Sequence, residues 1–493
     1  MKYRCEVCNV FEYETERGNS LTGILPGTQP PAFPEGWVCP ICGSGRMHLK
    51  PVIEKLHTSA TQEITCPVCG SRHTITVAHR DVSEVPGYLG TWERPSDTIE
   101  TAMSLIHTVA ATREPVIEPM RTRRPVVGWE DILIKGAQLA KLPLNPDEPV
   151  ATRTVIGPAA AQPLVLETPV FVTHMSFGAL SREVKIALAQ GSAAVKTAIG
   201  SGEGGILQEE REAAYRYIFE YVPNRYSATP ENLRAADAVE IKIGQSTKPG
   251  MGGHLPAEKV TAEIAAIRGF PEGQDIVSPA RFDEIREPRD LATMVQRLRT
   301  ESGGRPIGIK IAAGSVEADM AVAVAAGPDF ITIDGRPGGT AASPKAVKDA
   351  ASVPTPFALY RARRYLNERG IRTITLVATG GFRGSSDIAK ALALGADAVA
   401  LGTAALMACA CQQYRLCDTG TCPVGVTTHD PELRKRFVIE LSAKKLENFL
   451  AVTTEELRDF ARLTGNADVH GLAITDLCTT DSEISGHTAI EHV

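Results

Sequence analysis

Thr375-Leu376-Val377-Ala378-Thr379-Gly380-Gly381-Phe382-Arg383-Gly384 is an apolar run of strand length that breaks into a glycine-rich loop. Glycines let backbone N–H groups close on an anion, so the loop reads as a phosphate site. Shortly beyond it, Ala398-Val-Ala-Leu401 runs into Gly402-Thr403 in the same way. Toward the N-terminus the unit recurs. Val170–Thr173, Val195–Ala198, Ile218–Tyr221, Val239–Ile243, Ile307–Ile311 and Phe330–Ile333 are short apolar runs separated by helical stretches. Such alternation predicts a parallel α/β sheet, and eight repeats predict a closed (β/α)8 TIM barrel over residues 169–428. A doubly wound sheet is the rival, but no GxGxxG loop follows the first strand. One insertion, about 245–305, carries an extra apolar run at Ile276-Val277.

In such a barrel, chemistry gathers where strands hand over to helices. Those junctions hold Met175-Ser176-Phe177-Gly178-Ala179-Leu180, Gly200-Ser201-Gly202-Glu203, Lys310 and Gly338-Gly339-Thr340. Another runs from Lys242 through Gln245, Lys248 and Met251 to His254. With Gly380, Gly381, Arg383, Gly402 and Thr403, these loops predict a phosphate-bearing cofactor, held after strands seven and eight in the usual barrel arrangement. A flavin gains negative charge at its N1–O2 edge on reduction, and Lys310 at a mid-barrel strand end is placed to meet it. Lys242, Gln245 and Lys248 are candidates to bind a dicarboxylate substrate or the flavin.

Directly after the last strand come Cys411, Cys417 and Cys422, at x5 and x4 spacing. Thiolates beside a phosphate loop suggest electrons passing between an iron–sulfur cluster and a flavin. Cys409 is a further thiol upstream of that set. At the N-terminus, Cys5-x-x-Cys8 and Cys39-x-x-Cys42 are two knuckles separated by 30 residues, enough for one tetrahedral S4 site of iron or zinc. Tyr3, Phe11, Tyr13, Phe33 and Trp37 concentrate around them although aromatics are only 5% of the chain. A third knuckle, Cys66-x-x-Cys69, has His57, His73 and His79 nearby and is a candidate zinc site.

The bulk numbers exclude other classes. A net charge of −6 and the absence of a basic run argue against nucleic acid, and no apolar run is long enough for a membrane helix. With no secretory h-region and most of its 11 cysteines in metal-ligand spacings, the chain is expected to be cytoplasmic.

Residues 1–52 closely resemble rubredoxin, through Gly23-Ile24-Leu25-Pro26-Gly27-Thr28, Pro34-Glu35-Gly36-Trp37-Val38-Cys39-Pro40 and the aromatic set. The resemblance implies one iron on Cys5, Cys8, Cys39 and Cys42. Asn9 stands where rubredoxins usually carry glycine. Residues 118–428 resemble the synthase domain of glutamate synthase, through the strand-end motifs above, Ser343-Pro344 and the Cys411/Cys417/Cys422 set. That resemblance implies FMN, a [3Fe-4S] cluster on those three cysteines, and reduction of 2-iminoglutarate, made from 2-oxoglutarate and ammonia, to glutamate. It also implies an electron donor, a ferredoxin or an NAD(P)H-dependent subunit, and assembly as a homo- or hetero-oligomer. No glutaminase domain is expected, since Cys5 belongs to a knuckle, so ammonia arrives free or from a separate glutaminase. Met251 and His254 replace the family's glutamate and glutamine, and the stretch from Ser278 to Asp283 replaces a histidine-bearing segment. These departures open two alternatives: another acceptor chemistry, such as reductive addition of methylamine as in N-methylglutamate synthesis, or a redox-sensing subunit without an acceptor.

Residues 53–85 are read as the third-knuckle segment and 86–168 as a proline-rich connector. The connector carries one helix from about Ser96 to Ala111 and another from Asp131 to Leu142. Residues 429–493 read as a helical tail, with one helix starting at Asp430-Pro431 and a second at a Thr453–Glu456 capping box.

Overall fold

The structure, a computed structural model, describes residues 2–5, 7, 11–52, 60–65, 72–77, 94 and 96–493, with only the backbone for 60–65 and 72–77. It divides into two compact units, Met1–Val116 and Ile117–Val493.

In the first unit, Lys2–Cys5 pairs antiparallel with Glu12–Glu14 on one side and Leu49–Pro51 on the other. The aromatics supply the core beneath this small sheet. Tyr13 meets Phe33 edge-on at 4.8 Å between centroids, and Phe33 meets Trp37 at 5.0 Å. So few residues bury little aliphatic surface, and rings carry most of the packing. Ala60–Thr65 and Arg72–Val77 form an antiparallel pair; Cys66, Cys69, His57 and His79 lie outside the described residues, as does Cys8.

The second unit contains the eight-stranded closed parallel barrel. Its strands are β1 (Val170–Val172), β2 (Ala198–Gly200), β3 (Arg216–Tyr221), β4 (Ala238–Lys242), β5 (Ile307–Ala312), β6 (Phe330–Asp334), β7 (Thr375–Thr379) and β8 (Ala398–Leu401). Parallel strands are covered on both faces, which is why they read as continuous apolar runs. The second strand begins where the sequence reading ended it. Lys196 takes a left-handed turn (φ 56°) that closes the preceding helix, and pairing starts only at Ala198.

Period-two alternation sorts the interior into layers. At the bottom, Phe171, Ile218, Phe330 and Val377 pack on Ile156, Leu164 and Leu166 of a hairpin that plugs the barrel. A Cβ on Gly308 would lie 2.2 Å from the Phe330 ring, so that glycine makes room for it. Two residues further along the strands the interior turns polar, with Glu220, Glu240, Lys310 and Thr332 all buried. The change marks the floor of the site.

Four expected helices differ in the structure. The first runs Met103–Thr112, starting late because Asp97 Oδ1 accepts from the amides of Ile99 and Glu100 and closes a turn first. The helix expected from Asp131 is absent. Trp129–Asp131 is a single 3-10 turn and Ile132–Ile134 a strand paired with Leu477–Thr479, a tertiary pairing that overrides local propensity. The expected pair of tail helices is a four-residue turn, Pro431–Arg434, and one continuous helix, Ile439–Leu463. Thr453 does not cap it: Thr453 and Thr454 are buried mid-helix, and the Thr454 hydroxyl donates back to the Leu450 carbonyl.

Candidate functional site

The strand ends enclose a cavity of about 1100 Å³. Met175, Ser176, Gln245, Gly338, Gly339, Thr340, Gly380, Gly381, Arg383, Gly402 and Thr403 line it, and Lys310 and Glu220 reach it from below. Gly178 and Ser201 do not. The Gly178 carbonyl accepts from His429 Nε2, and the Ser201 hydroxyl accepts from the Glu220 amide, so both brace the loops from behind. Gly380 and Gly381 sit at φ 101° and 92°, where a Cβ would strike Gly335 O at 2.2 Å and Pro337 Cδ at 2.5 Å. Only glycine fits this turn without strain. Arg121 and Arg383 line the same space, and Arg121 helps burial to push the Arg383 guanidinium down. Two cations facing one cavity beside open helix-start amides fit a phosphate dianion, so the residues present fit FMN.

Lys310 is not a free cation. Its Nζ pairs with Glu220 and lies 3.9 Å from Glu240, which accepts from Thr332 and stands 3.0 Å from His174 Nε2. Burial opposes the charges, but Lys310, His174 and Lys242 hold Glu220 down to about 2. Burial likewise works against the Lys310 ammonium, and Glu220, Glu240 and Asp334 outweigh it, so it stays charged. His174, Glu220 and Glu240 have the spacing of a metal site, yet the Lys310 ammonium already supplies the cation.

A second cavity of about 460 Å³ shares Ser176, Ala179, Glu203, Gln245, Thr340 and Ala341 with the first. Lys248, His254, Arg268 and Ser278 line its far side. Lys242 lies under the shared wall, paired with Glu203, whose carboxyl it holds low against burial. Lys248 is buried and donates to the Gly252 carbonyl; burial and then Lys242 push it down to about 8. Arg268 is 9% exposed, donates to Phe177 O and leaves Nε without a hydrogen-bond partner among the described residues. Cations buried this deeply without a carboxylate are costly unless an anion joins them. His254 sits at the rim, Nε2 3.0 Å from Asp275 Oδ2, and Met251 is partly exposed nearby.

The sequence reading missed Arg268, which lies on the helix Ala262–Arg268 inside the insertion, away from every strand end. It also missed Met120. This residue borders both the first cavity and a third, about 340 Å³, lined by Cys411, Cys417 and Cys422. Met120 Sδ is 3.8 Å from Cys417 Sγ, and its backbone is left-handed at φ 69°.

Among the described residues, the three sulfurs of Cys411, Cys417 and Cys422 are not gathered within 4.8 Å as a single ion would require. Their wider spacing suits a polynuclear cluster. Burial pushes Cys417 up to about 12, with the neighbouring thiols adding to it, and raises Cys411 too. The Thr427 hydroxyl, in the wall shared with the first cavity, lies against Cys417 and works to lower its thiol against burial. The thiol set fits an iron–sulfur cluster. Cys409 faces the core from its helix and does not line that cavity. In the first unit, the sulfurs of Cys5, Cys39 and Cys42 lie within 4.8 Å of one another, and Cys5 to Cys42 is 3.7 Å. A tetrahedron with bonds of ~2.3 Å places its sulfurs roughly 3.8 Å apart, so this set fits one metal ion. No helix among the described residues is long and apolar enough to cross a membrane.

Residues 2–48 match the rubredoxin family and residues 100–467 the conserved region in glutamate synthase. A glutamate synthase large subunit-like protein of Rhizobium meliloti is 37% identical over 398 residues, covering 77% of this chain and 90% of that one. An archaeal-type glutamate synthase [NADPH] of Thermotoga maritima is 35% identical over 446 residues, covering 85% and 86%. Among solved structures, a flavocytochrome b2 variant with sulfite bound is similar at TM-score 0.47 and 17% identity, covering 73% and 78%. With a rubredoxin domain ahead of its barrel, the chain belongs to the glutamate synthase family of oxidoreductases.

Proposed function

We propose that this chain reduces 2-iminoglutarate, formed from 2-oxoglutarate and ammonia, to L-glutamate. What carries the reading is the second cavity. Its two cations with no carboxylate within ion-pair distance among the described residues, Lys248 and Arg268, share a wall with a cavity fit for FMN. A bound flavin would supply hydride, and an iron–sulfur cluster would supply electrons one at a time. Gly380, Gly381, Arg383, Gly402 and Thr403 would hold the flavin phosphate, and Cys411, Cys417 and Cys422 a [3Fe-4S] cluster.

Arg268 and Lys248 bind the two carboxylates of the oxo acid and so present its C2 to the shared wall. Glu203, kept ionised by Lys242, attracts the cationic iminium form that accepts hydride most readily. Lys248, near pKa 8, can also hold a proton close to the new amine at neutral pH. Lys310 sets positive charge under the flavin cavity, tempered by Glu220 and Glu240. The rubredoxin-like unit, with iron on Cys5, Cys8, Cys39 and Cys42, receives electrons from a donor protein or an NAD(P)H-dependent subunit. Cys66 and Cys69 are proposed as a zinc knuckle. Ammonia enters free or from a separate glutaminase.

The test is anaerobic. Purified holoprotein is reduced, then mixed with 2-oxoglutarate and ammonia. Flavin reoxidation with stoichiometric glutamate is expected; no reoxidation with any 2-oxo acid and amine would end the reading. A second reading, with methylamine as the nitrogen donor, is favoured by His254 at the cavity rim and by Met251 three residues before it in the chain, and methylamine in the same assay separates the two.

A further inference from the structure

Six lysines are buried in the barrel unit, and four of them meet a carboxylate: Lys185 meets Glu210, Lys242 meets Glu203, Lys310 meets Glu220 and Lys348 meets Glu118. Lys248 and Lys259 have no carboxylate within ion-pair distance among the described residues. Lys248 faces the second cavity, and an anionic substrate accounts for it. Lys259, 2% exposed, lines none of the three cavities. Its Nζ donates 3.0 Å hydrogen bonds to two carbonyls, those of Ala179 and Cys417. Ala179 belongs to the loop after β1 that lines the first two cavities, and Cys417 is the middle thiol of the C-terminal set. The side chain therefore ties the flavin-side loop to the cluster-side loop and buries an ammonium between them.

We infer that Lys259 is a positioning residue that sets the reduction potential of the cluster on Cys411, Cys417 and Cys422; this rests on the reading of that site given above. Three thiolates on a ferric cluster carry net negative charge. Adding one electron to the cluster increases that charge by one, with no bond made or broken. A fixed ammonium behind Cys417 favours the more negative state, just as hydrogen bonds and nearby charge tune other thiolate-held iron. It also supplies the counter-charge that lets the three thiols be deprotonated together. Burial pushes the Lys259 ammonium down, and Cys417, Cys422 and then the Asp418 carboxylate oppose that.

The experiment compares wild type, Lys259→Gln and Lys259→Arg as full-length holoprotein. Iron and sulfide content, flavin content and an EPR-monitored titration with dithionite are measured. Gln can still donate a hydrogen bond but carries no charge; Arg keeps both. The expected result for Lys259→Gln is at least a tenfold fall in the cluster's one-electron reduction constant, which is 59 mV toward negative potential. Lys259→Arg should stay within threefold of wild type, and both should hold flavin normally. If Lys259→Gln loses the cluster and Lys259→Arg restores it, charge is required and the inference stands. Loss in both variants, or a full cluster in Lys259→Gln at an unchanged potential, overturns it while leaving the site reading intact. A wild-type protein with no cluster signal overturns the site reading and this inference together.

Discussion

Among the described residues the chain gathers thiols in two places, and the two differ in what holds them. At the N-terminus a small sheet and rings packed edge-on bring Cys5, Cys39 and Cys42 to the spacing of one ion, with the Ser44 hydroxyl 3.2 Å from Cys5 Sγ and 3.1 Å from Cys42 Sγ. In the barrel unit Cys411, Cys417 and Cys422 spread around a cavity and are braced by two residues from far away, Met120 and Lys259, while Arg415 of the same loop donates to the distant Pro119 and Arg121 carbonyls. A knuckle supplies its own geometry, whereas a cluster loop borrows it. The first should therefore tolerate loss of the second, and the second should fail when remote residues change.

The largest expected effect comes from Cys417→Ser. All iron of the barrel site should be lost, and glutamate formation should fall by more than the ~100-fold typical of outer-shell changes. The visible spectrum of the N-terminal centre should persist; if it vanishes too, the two sites are not independent. Next is Arg268→Ala. Removing one partner of a buried charge contact costs ~2–5 kcal/mol, on the order of 30- to 5000-fold in KM for the oxo acid. Iron and flavin content should not change, which places the effect in the second cavity alone.

Acid should separate the two units as well. Glu220 is held down to about 2 from 4.5 in the folded barrel, so its contribution to stability is full above pH 4.5 and drains away as pH falls toward 2. Urea midpoints followed through barrel near-UV circular dichroism should drop across that window. In Glu220→Gln that slope should flatten on an already weakened barrel, because Lys310 then lacks its nearest counter-charge. The smallest effect is expected from Cys42→Ser. It removes the N-terminal iron, yet turnover with a small reductant that feeds the barrel directly should stay within about twofold. A large loss there would show that electrons reach the flavin only through the first unit.

Much of the fold was legible because each strand is buried on both faces and so reads as an apolar run, while the glycine loops mark where it ends. Strand two was misplaced because Val195 is apolar but belongs to a helix cap. The tail helix looked like two because Thr453-Thr-Glu-Glu456 satisfies the rule for a cap, and only burial against the barrel shows otherwise. Among site residues, Lys242, Gln245 and Lys248 were visible through their glycine-rich loop. Arg268, Met120 and Lys259 were not, because each acts across a long sequence separation and carries no local signature.

Sequence by itself determined the barrel, the two thiol sets and the family, since periodicity, spacing and motif order are local properties of the chain. Tertiary structure decided which charges are paired. Lys310 looked like a free cation and is held by Glu220 and Glu240, whereas Lys248 and Lys259 are buried with no carboxylate within ion-pair distance among the described residues. Coulomb energy depends on distance and on exclusion of water, and neither is written along the chain until the strands close.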